Sequence, residues 1–393
     1  MKVIVAGHWE YHDKPITTDA LAAVGRALRA RHLDVQVELL PFGSGPHVSL
    51  LCADHLPENW VLIRHNHDTC ESTYEAGKSV REALLRGENV LIESEQQWVP
   101  HSLSALNHAD KRLRPDGGAS FLSGLTGITL PSDHIDEELF LTALEHARHL
   151  IRSRHVIMAA STQRPLLGLS SVCAVGPEGE PITDMDPSFL RDLGRVYRHS
   201  FQTRSEDLLR TSRSTTSIRE SDSQIMRSPA ELPGSGAGGG IGAVVAATGG
   251  TLRGTGEALI RVLGIDTHVN GADLVVMMTP QLHSPILSHS PLPAFTAECA
   301  RAALPVVAIA EESSLAPYER AQWDIHGVIL TRPHTSFTWD SDSSQLLPEH
   351  QSTTKLPDSG DFDEDNAPFH LKSQALASLY DAGLRLAHTW LSR

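Results

Sequence analysis

The residues of this 393-residue chain with the clearest capacity for chemistry are its glycines. Leu232 to Thr279 opens on Pro233-Gly234-Ser235-Gly236-Ala237-Gly238-Gly239-Gly240-Ile241-Gly242-Ala243, runs on through small residues, and ends in an apolar strand pattern, Asp273 to Met278, before Thr279 and Pro280. Glycines ahead of a helix let the backbone approach a ligand. The first-turn amides, backed by the positive end of the helix dipole, then suit an anion such as phosphate. Small residues could equally serve only to pack the helix closely on a sheet, and the stretch alone leaves both readings open. Pro115-Asp116-Gly117-Gly118-Ala119 starts another helix in the same way and is a second candidate anion site.

Three further patterns promise less. Glu75-Ala76-Gly77-Lys78-Ser79 contains the Gly-Lys-Ser of a P-loop, but the glycine required five residues before Gly77 is Ser72, so a surface lysine on an ordinary helix is expected. His65-Asn66-His67 reads as a polar loop rather than a ligand pair, and no HExxH occurs among the 22 histidines. Cys52, Cys70, Cys173 and Cys299 lie far apart without a CxxC pair, which fits a reduced compartment better than a disulfide framework or a zinc site. No metal-ligating set can be named.

The elements that must position these groups alternate between strand and helix. Lys2 to Ala6 predicts a buried strand, Thr17 or Thr18 a helix cap ahead of Leu21, Val24 and Leu28, and Val35 to Leu40 the next strand, a right-handed parallel crossover. Trp60 to Ile63 and Val90 to Ile92 read as strands with a helix over Glu71 to Arg86 between them. Asp136 to Arg152 follows as a helix, Val156 to Ala160 as a strand and Pro187 to Phe201 as a helix. Ala294 to Ala303, Pro305 to Ala310, Pro317 to Asp324 and Gly327 to Thr331 continue the alternation, and Leu371 to Leu391 closes it as an amphipathic helix. Gln202 to Pro229, rich in Arg, Ser and Thr, reads as a mobile surface segment, and Trp339 to Pro368, rich in Ser, Asp and Pro, as a disordered insertion.

At this length two domains are expected. A formal charge of -15 argues against nucleic acid or an acidic membrane as partner, and no apolar run reaches the roughly 18 residues of a spanning helix. The opening MKVIVAGHW carries no leader pattern, so a cytoplasmic protein is expected.

The order and wording of the motifs resemble the type 1 glycerate kinases, which phosphorylate glycerate with ATP and magnesium. Pro233 to Ala243 is similar to that family's PGAGAAGGxGAA. Gly271-Ala272-Asp273-Leu274-Val275-Val276 and Pro305 to Ala310 follow at the family's distance, and MKVIVA with Lys14 looks like its opening. Asp116-Gly117-Gly118-Ala119 resembles its NDGGAG, Arg164-Pro165-Leu166-Leu167-Gly168 the end of its CDVTNPLLG, and Gly176-Pro177-Glu178-Gly179 its GPQKG. The resemblance implies an α/β protein in two domains: a Rossmann-like parallel-sheet domain from both chain ends, 1–60 and 264–393 with 339–368 as insertion, and a second α/β domain over 61–263 with 202–230 mobile. It further implies Asp116 and Lys14 as catalytic groups, Gly117, Gly118, Arg164, Gly236, Gly238, Gly239 and Gly240 as substrate or phosphate contacts, and ATP, Mg2+ and a glycerate-like acid as partners.

Several family positions are replaced. Its Asp-Ser-Phe-Lys keeps only Lys14, its ADGGEGT becomes Gly43-Ser44-Gly45-Pro46-His47, its CDVTNP aspartate aligns with Ser161, and its TGEGRxD becomes Thr279-Pro280-Gln281-Leu282-His283-Ser284-Pro285. Phosphoryl transfer relies on carboxylates to hold magnesium and orient the acceptor. Two functions follow: a glycerate-type kinase with impaired transfer, or a non-catalytic relative that keeps the fold to bind a ligand or partner.

Overall fold

The computed structural model describes residues 1–11, 14–66, 73–95, 115–131, 134–176, 181–182, 185–211, 227–331 and 367–391. In chain order its main strands are β1 (Lys2–Gly7), β2 (Gln36–Pro41), β3 (Trp60–Asn66), β4 (Asn89–Glu95), β5 (Val156–Ala160), β6 (Thr251–Gly254), β7 (Leu274–Met278), β8 (Val306–Ala310) and β9 (Gly327–Leu330). The helices used below are α1 (Thr17–Arg31), α2 (Pro46–His55), α3 (Thr73–Arg86), α4 (Ala119–Thr126), α5 (Glu137–Ile151), α6 (Pro187–Thr211), α7 (Ile241–Thr248), α8 (Thr255–Leu263), α9 (Ile265–Val269), α10 (Ser284–His289), α11 (Leu292–Arg301), α12 (Pro317–Gln322) and α13 (Ala367–Trp390). None is long and apolar enough to cross a membrane.

The chain forms two α/β units. The first comprises Met1–Leu40, Asp273–His283 and Pro305–Arg393, and the second Pro41–Ala272 and Ser284–Leu304. The divisions thus fall at 40/41, 272/273, 283/284 and 304/305, where 60/61 and 263/264 were expected. Two helices that the sequence hid, α2 and α9, belong to the second unit and carry its ends outward.

The first unit is a five-stranded sheet in the order β9-β8-β7-β1-β2. Ile4 pairs with Val275, and Ala308 with Met277 and Val328, all in parallel. Because helices cover both faces of such a sheet, its inner strands are continuous apolar runs, and β7 and β8 are buried throughout. The apolar faces of α1 and α13 share this core through Leu21, Val24, Leu28, Leu379 and Leu386. The helices approach closely because Gly383 has no side chain: a Cβ there would lie 2.7 Å from the Cβ of Ala27. Thr17 does not cap α1. The N-cap position is Ile16, and the Thr17 hydroxyl instead accepts from Trp9 N at 2.9 Å and donates to Trp9 O at 3.1 Å, fixing the turn after β1.

The second unit is a four-stranded parallel sheet in the order β3-β4-β5-β6. One part of its core is a backbone-to-backbone contact between α3 and α4. A Cβ on Gly77 would lie 2.0 Å from Phe121 O, and one on Gly124 equally 2.0 Å from Tyr74 O. Gly77 is therefore a packing residue. Lys78, beside it, is half exposed and pairs with Glu75 at 3.8 Å, as expected of a surface lysine. Asp136 caps α5 by accepting from Leu139 N at 3.0 Å.

His65 and Asn66 fall within β3 rather than in a loop, and His65 is buried; His67 lies outside the described residues. α6 continues to Thr211, ten residues into the segment expected to be mobile, because its polar run is broken by neither Gly nor Pro. Of that segment, residues 212–226 lie outside the described residues, as do 339–366 of the expected insertion. Cys52 and Cys173 are buried free thiols, Cys299 is buried, and Cys70 lies outside the described residues.

Candidate functional site

The two glycine segments singled out by sequence meet in the second unit, where they pack on each other. Gly240, the N-cap of α7 with φ 124°, lies so close to the Asp116 turn that a Cβ on it would sit 2.5 Å from Gly117 C and Gly118 N. A Cβ on Gly118 would in turn lie 2.6 Å from Val244 Cγ2. Gly236 faces Val172 and Pro165 O, and Gly238 is filled by Ile241, so the chain's own atoms occupy these positions; Gly239 alone of the group opens, with Pro115 Cα nearest at 3.7 Å. The same loop is tied to the end of β5: Gly234 N donates to Gln163 O and Gly236 N to Arg164 O, both at 3.1 Å. Ser235, wholly buried, accepts from Leu166 N at 2.9 Å and donates to Ala230 O at 3.0 Å.

Asp116 holds the start of α4. Its two carboxylate oxygens accept from Gly118 N at 2.9 Å and Ser120 N at 2.8 Å, as an acid at a helix N-terminus does. Gly117 O accepts from the buried Tyr197 hydroxyl at 2.7 Å. Burial first, then Asp116 and Cys173, raises the Tyr197 phenol well above its ordinary value. Burial also pushes the Cys173 thiol up to about 12, with Arg164 opposing and Asp116 reinforcing the shift. Arg164 gathers the loop that follows it, donating to the carbonyls of Ser170 at 3.2 Å, Ser171 at 2.7 Å, Gly176 at 3.3 Å and Val175. The GPQKG-like run is described only at Gly176. Lys14 belongs to the first unit, in a two-residue strand opposite Tyr11, and its side chain lies outside the described ones.

The open space lies elsewhere in the second unit, at the C-terminal ends of β5 and β6. Ligands of parallel sheets bind at that edge. A cavity of about 330 Å3 is lined by Ser44, Ser161, Gln163, Thr255, Glu257 and Ser290 among others. Its walls are built from the sheet outward. Ser161 follows β5 directly and donates to Ser94 O, while Gly254 ends β6 and is the N-cap of α8, whose first residue is Thr255. α11 closes over this turn, so near that a Cβ on Gly256 would lie 2.4 Å from Pro291 O.

Ser44 is placed by a buried ion pair. Glu93, wholly buried near the end of β4, accepts from Gly45 N at 3.2 Å and from Arg64 Nε at 3.1 Å, and Arg64 also donates to Ser49 Oγ at 3.2 Å. Burial, followed by the Glu93 charge, pushes the nearby Cys52 thiol up to about 12. Sequence reasoning passed over Glu93. Its signal was an acid set in the apolar run Val90-Leu91-Ile92-Glu93, where a buried charge needs a partner. The turn Gly254-Thr255-Gly256-Glu257 was also missed, although it carries the same small-residue helix start as the glycine segment.

The sheet-edge cavity brings together Ser44, from the Gly43 to His47 segment, and Ser161. Its donor set is hydroxyls and an amide with one carboxylate, Glu257, which is exposed and 3.6 Å from Arg253. Among the described residues no three His, Cys, Asp or Glu side chains cluster as a cation site. Magnesium wants carboxylates in near-octahedral geometry, and a triphosphate wants cations. This lining, with neither a carboxylate pair nor a lysine or arginine, fits neither group as a resident. It does fit a small polar molecule, since about 330 Å3 is at the lower end of ligand-pocket volumes. A somewhat larger hollow of about 380 Å3 lies between the 167–174 loop and α6. Its wall carries Arg191, Arg195 and Arg198 with one acid, Glu231, and Arg195 is engaged by Glu137 and Asp192, both at 3.3 Å.

The glycerate kinase family matches the chain over residues 194–344. The fold is similar to that of the putative glycerate kinase 2 from Salmonella typhimurium LT2, with a TM-score of 0.58 and 16% identity over 99% of this chain and 98% of that one. No curated protein sequence matches the chain.

Proposed function

We propose, from the glycerate kinase family match over residues 194–344 and the similar fold, that the chain is a member of that family and binds a small hydroxy acid of the glycerate type in the cavity at the C-terminal edge of the four-stranded sheet, with phosphoryl transfer to that acid slow or absent. The observation that carries this reading is the lining of the cavity. Hydroxyls from Ser44, Ser161 and Ser290 and the Gln163 amide surround a space with ample room for a three-carbon acid, while the acids that would hold magnesium are replaced. These groups can bind and orient a hydroxylated carboxylate by hydrogen bonds. The carboxylate in this wall is Glu257, which could receive a proton leaving the acceptor hydroxyl.

Within this reading Asp116, Gly117 and Gly118 position α4 and α7, and Arg164 holds the loop behind Ser161. Gly236, Gly238 and Gly240 form the packing junction, and Gly239 is where a phosphate oxygen could meet the backbone. Lys14 is the candidate cation for a nucleotide. The buried free thiols suit a reducing compartment, and we assign the protein to the cytoplasm.

The test is ADP release from purified protein with Mg-ATP and D-glycerate against a blank lacking the acceptor, alongside thermal shift with D-glycerate or ATP alone. A ligand that binds the native state raises its melting temperature. The reading expects a shift with glycerate and ADP release close to the blank. Turnover in the range of roughly 1–100 per second usual for kinases would overturn the second half of it, and Lys14→Ala in the same assay would then show whether that lysine carries the phosphate.

A further inference from the structure

We propose that the hollow between the 167–174 loop and α6 is a second ligand site, which takes a phosphate monoester with a small apolar body. The inference stands apart from the hydroxy-acid reading of the sheet-edge cavity and does not depend on it.

Two independent observations converge. The first is the placing of charge. Arg191, Arg195 and Arg198 follow one another at i, i+4 and i+7 on α6, so they stand on one face over about 10 Å of helix and line the hollow together. Like charges at this spacing destabilise a helix, and the chain as a whole carries a formal charge of -15, so three cations gathered at one wall run against its general composition. The lining sets one carboxylate, Glu231, against the three guanidinia, which leaves positive charge in excess. Arg195 is steadied by Glu137 and Asp192, both at 3.3 Å, but among the described residues no hydrogen bond or ion pair holds Arg191 or Arg198. Asp186, which feels the Arg191 charge, accepts instead from Ser188 N at 2.8 Å and Ser188 Oγ at 2.6 Å.

The second is Gly194, which lies on the same helix face between these arginines. Glycine weakens a helix relative to alanine, and packing does not require it here: a Cβ at Gly194 would meet only Leu167 Cδ1, at an ordinary 3.5 Å. Its missing side chain instead leaves room in the hollow, whose lining also includes Leu167, Leu190, Ala174 and the buried Cys173. At about 380 Å3 the space holds a small organic molecule. A lining that joins guanidinia to apolar side chains fits a guest with a charged head and an apolar body. Two features make that head a phosphate rather than a carboxylate. A phosphate monoester carries about 1.5–2 negative charges near pH 7, which answers the excess of positive charge. Its three terminal oxygens can also accept from more than one guanidinium at once, where the two oxygens of a carboxylate fill a single fork.

The experiment is isothermal titration of the full chain with phenyl phosphate, inorganic phosphate and benzoate, on wild type, Arg191→Gln/Arg198→Gln and Gly194→Leu. Wild type should bind phenyl phosphate at least about tenfold more tightly than inorganic phosphate, which lacks the apolar body, or benzoate, which lacks the phosphate. The double variant, changed at two exposed residues, should keep the wild-type melting temperature and lose about tenfold or more in phenyl phosphate affinity. Gly194→Leu fills the hollow and should abolish that binding with a melting temperature at or above wild type. D-Glycerate should not displace phenyl phosphate. Absence of phenyl phosphate binding to wild type at millimolar concentration, or equal binding by wild type and the double variant, would overturn the site. Inorganic phosphate bound as tightly as phenyl phosphate would overturn the apolar body, and benzoate bound as tightly would overturn the phosphate assignment. Displacement by D-glycerate would put both ligands in one cavity and overturn a second site, whereas failure of D-glycerate to bind at all would count against the sheet-edge reading alone.

Discussion

Gly242→Ala separates the two meanings of the glycine segment. Gly242 is the second residue of α7, and in a helix alanine is preferred over glycine by about 1 kcal/mol. Propensity alone therefore predicts a gain. The structure predicts a loss, because a Cβ at Gly242 would lie 2.6 Å from Gly234 O and 3.0 Å from Ser235 Cα, both backbone atoms of the loop pinned to the end of β5. Moving that loop costs roughly 1–3 kcal/mol as overpacking. It also strains the bond from Ala243 N to Ser235 O, now 3.0 Å, worth about 1 kcal/mol. Set against the propensity gain, the net destabilisation is about 2 kcal/mol, which lowers the calorimetric transition of a unit this size by roughly 4–8 °C. Gly239→Ala is the control: its nearest neighbour is 3.7 Å away, and its φ of 66° costs alanine roughly 1 kcal/mol. A Gly242→Ala transition at or above wild type would refute the packing argument.

Three further outcomes follow from the same physics. Gly77→Ala should destabilise by about 3 kcal/mol or more, because the 2.0 Å contact is with the carbonyl of a buried helix, whereas Lys78→Ala should leave both stability and ATP thermal shift unchanged; paired urea titrations check this. Arg64→Met removes the guanidinium paired with the buried Glu93, which keeps its bond from Gly45 N, and should cost roughly 3–5 kcal/mol in the same titrations. The Cys52 and Cys173 thiols are held up to about 12 against an ordinary 9.0, so the folded chain keeps protons that the unfolded chain releases. Their contribution is intact below about pH 9 and is lost as pH rises from there toward 12. The urea midpoint should thus fall more steeply above pH 9 in wild type than in a Cys52→Ala/Cys173→Ala variant.

The fold was largely legible because its strands are buried on both faces and read as unbroken apolar runs; Val156 to Ala160 was placed to the residue. β6 was not legible, since Thr251-Leu252-Arg253-Gly254 is short, half-polar and ends in glycine. Nor was α2, whose four buried residues hide behind a Gly-Ser-Gly-Pro start that reads as loop. The candidate site was less visible than the fold. Glycine marks close backbone approach without saying what approaches: at Gly240 and Gly242 it is the protein itself, whereas the uncapped Gly254 turn borders open space. The Glu93–Arg64 pair joins two strands whose pairing no local pattern specifies, so it appears only when the register Arg64 opposite Glu93 is formed.

A crystal structure of the protein soaked with D-glycerate tests the central claim most directly. The account predicts the acid at the ends of β5 and β6, within reach of Ser161 and Gln163. Glycerate bound instead along Gly236 to Gly240, with the sheet-edge cavity containing only water, would contradict it.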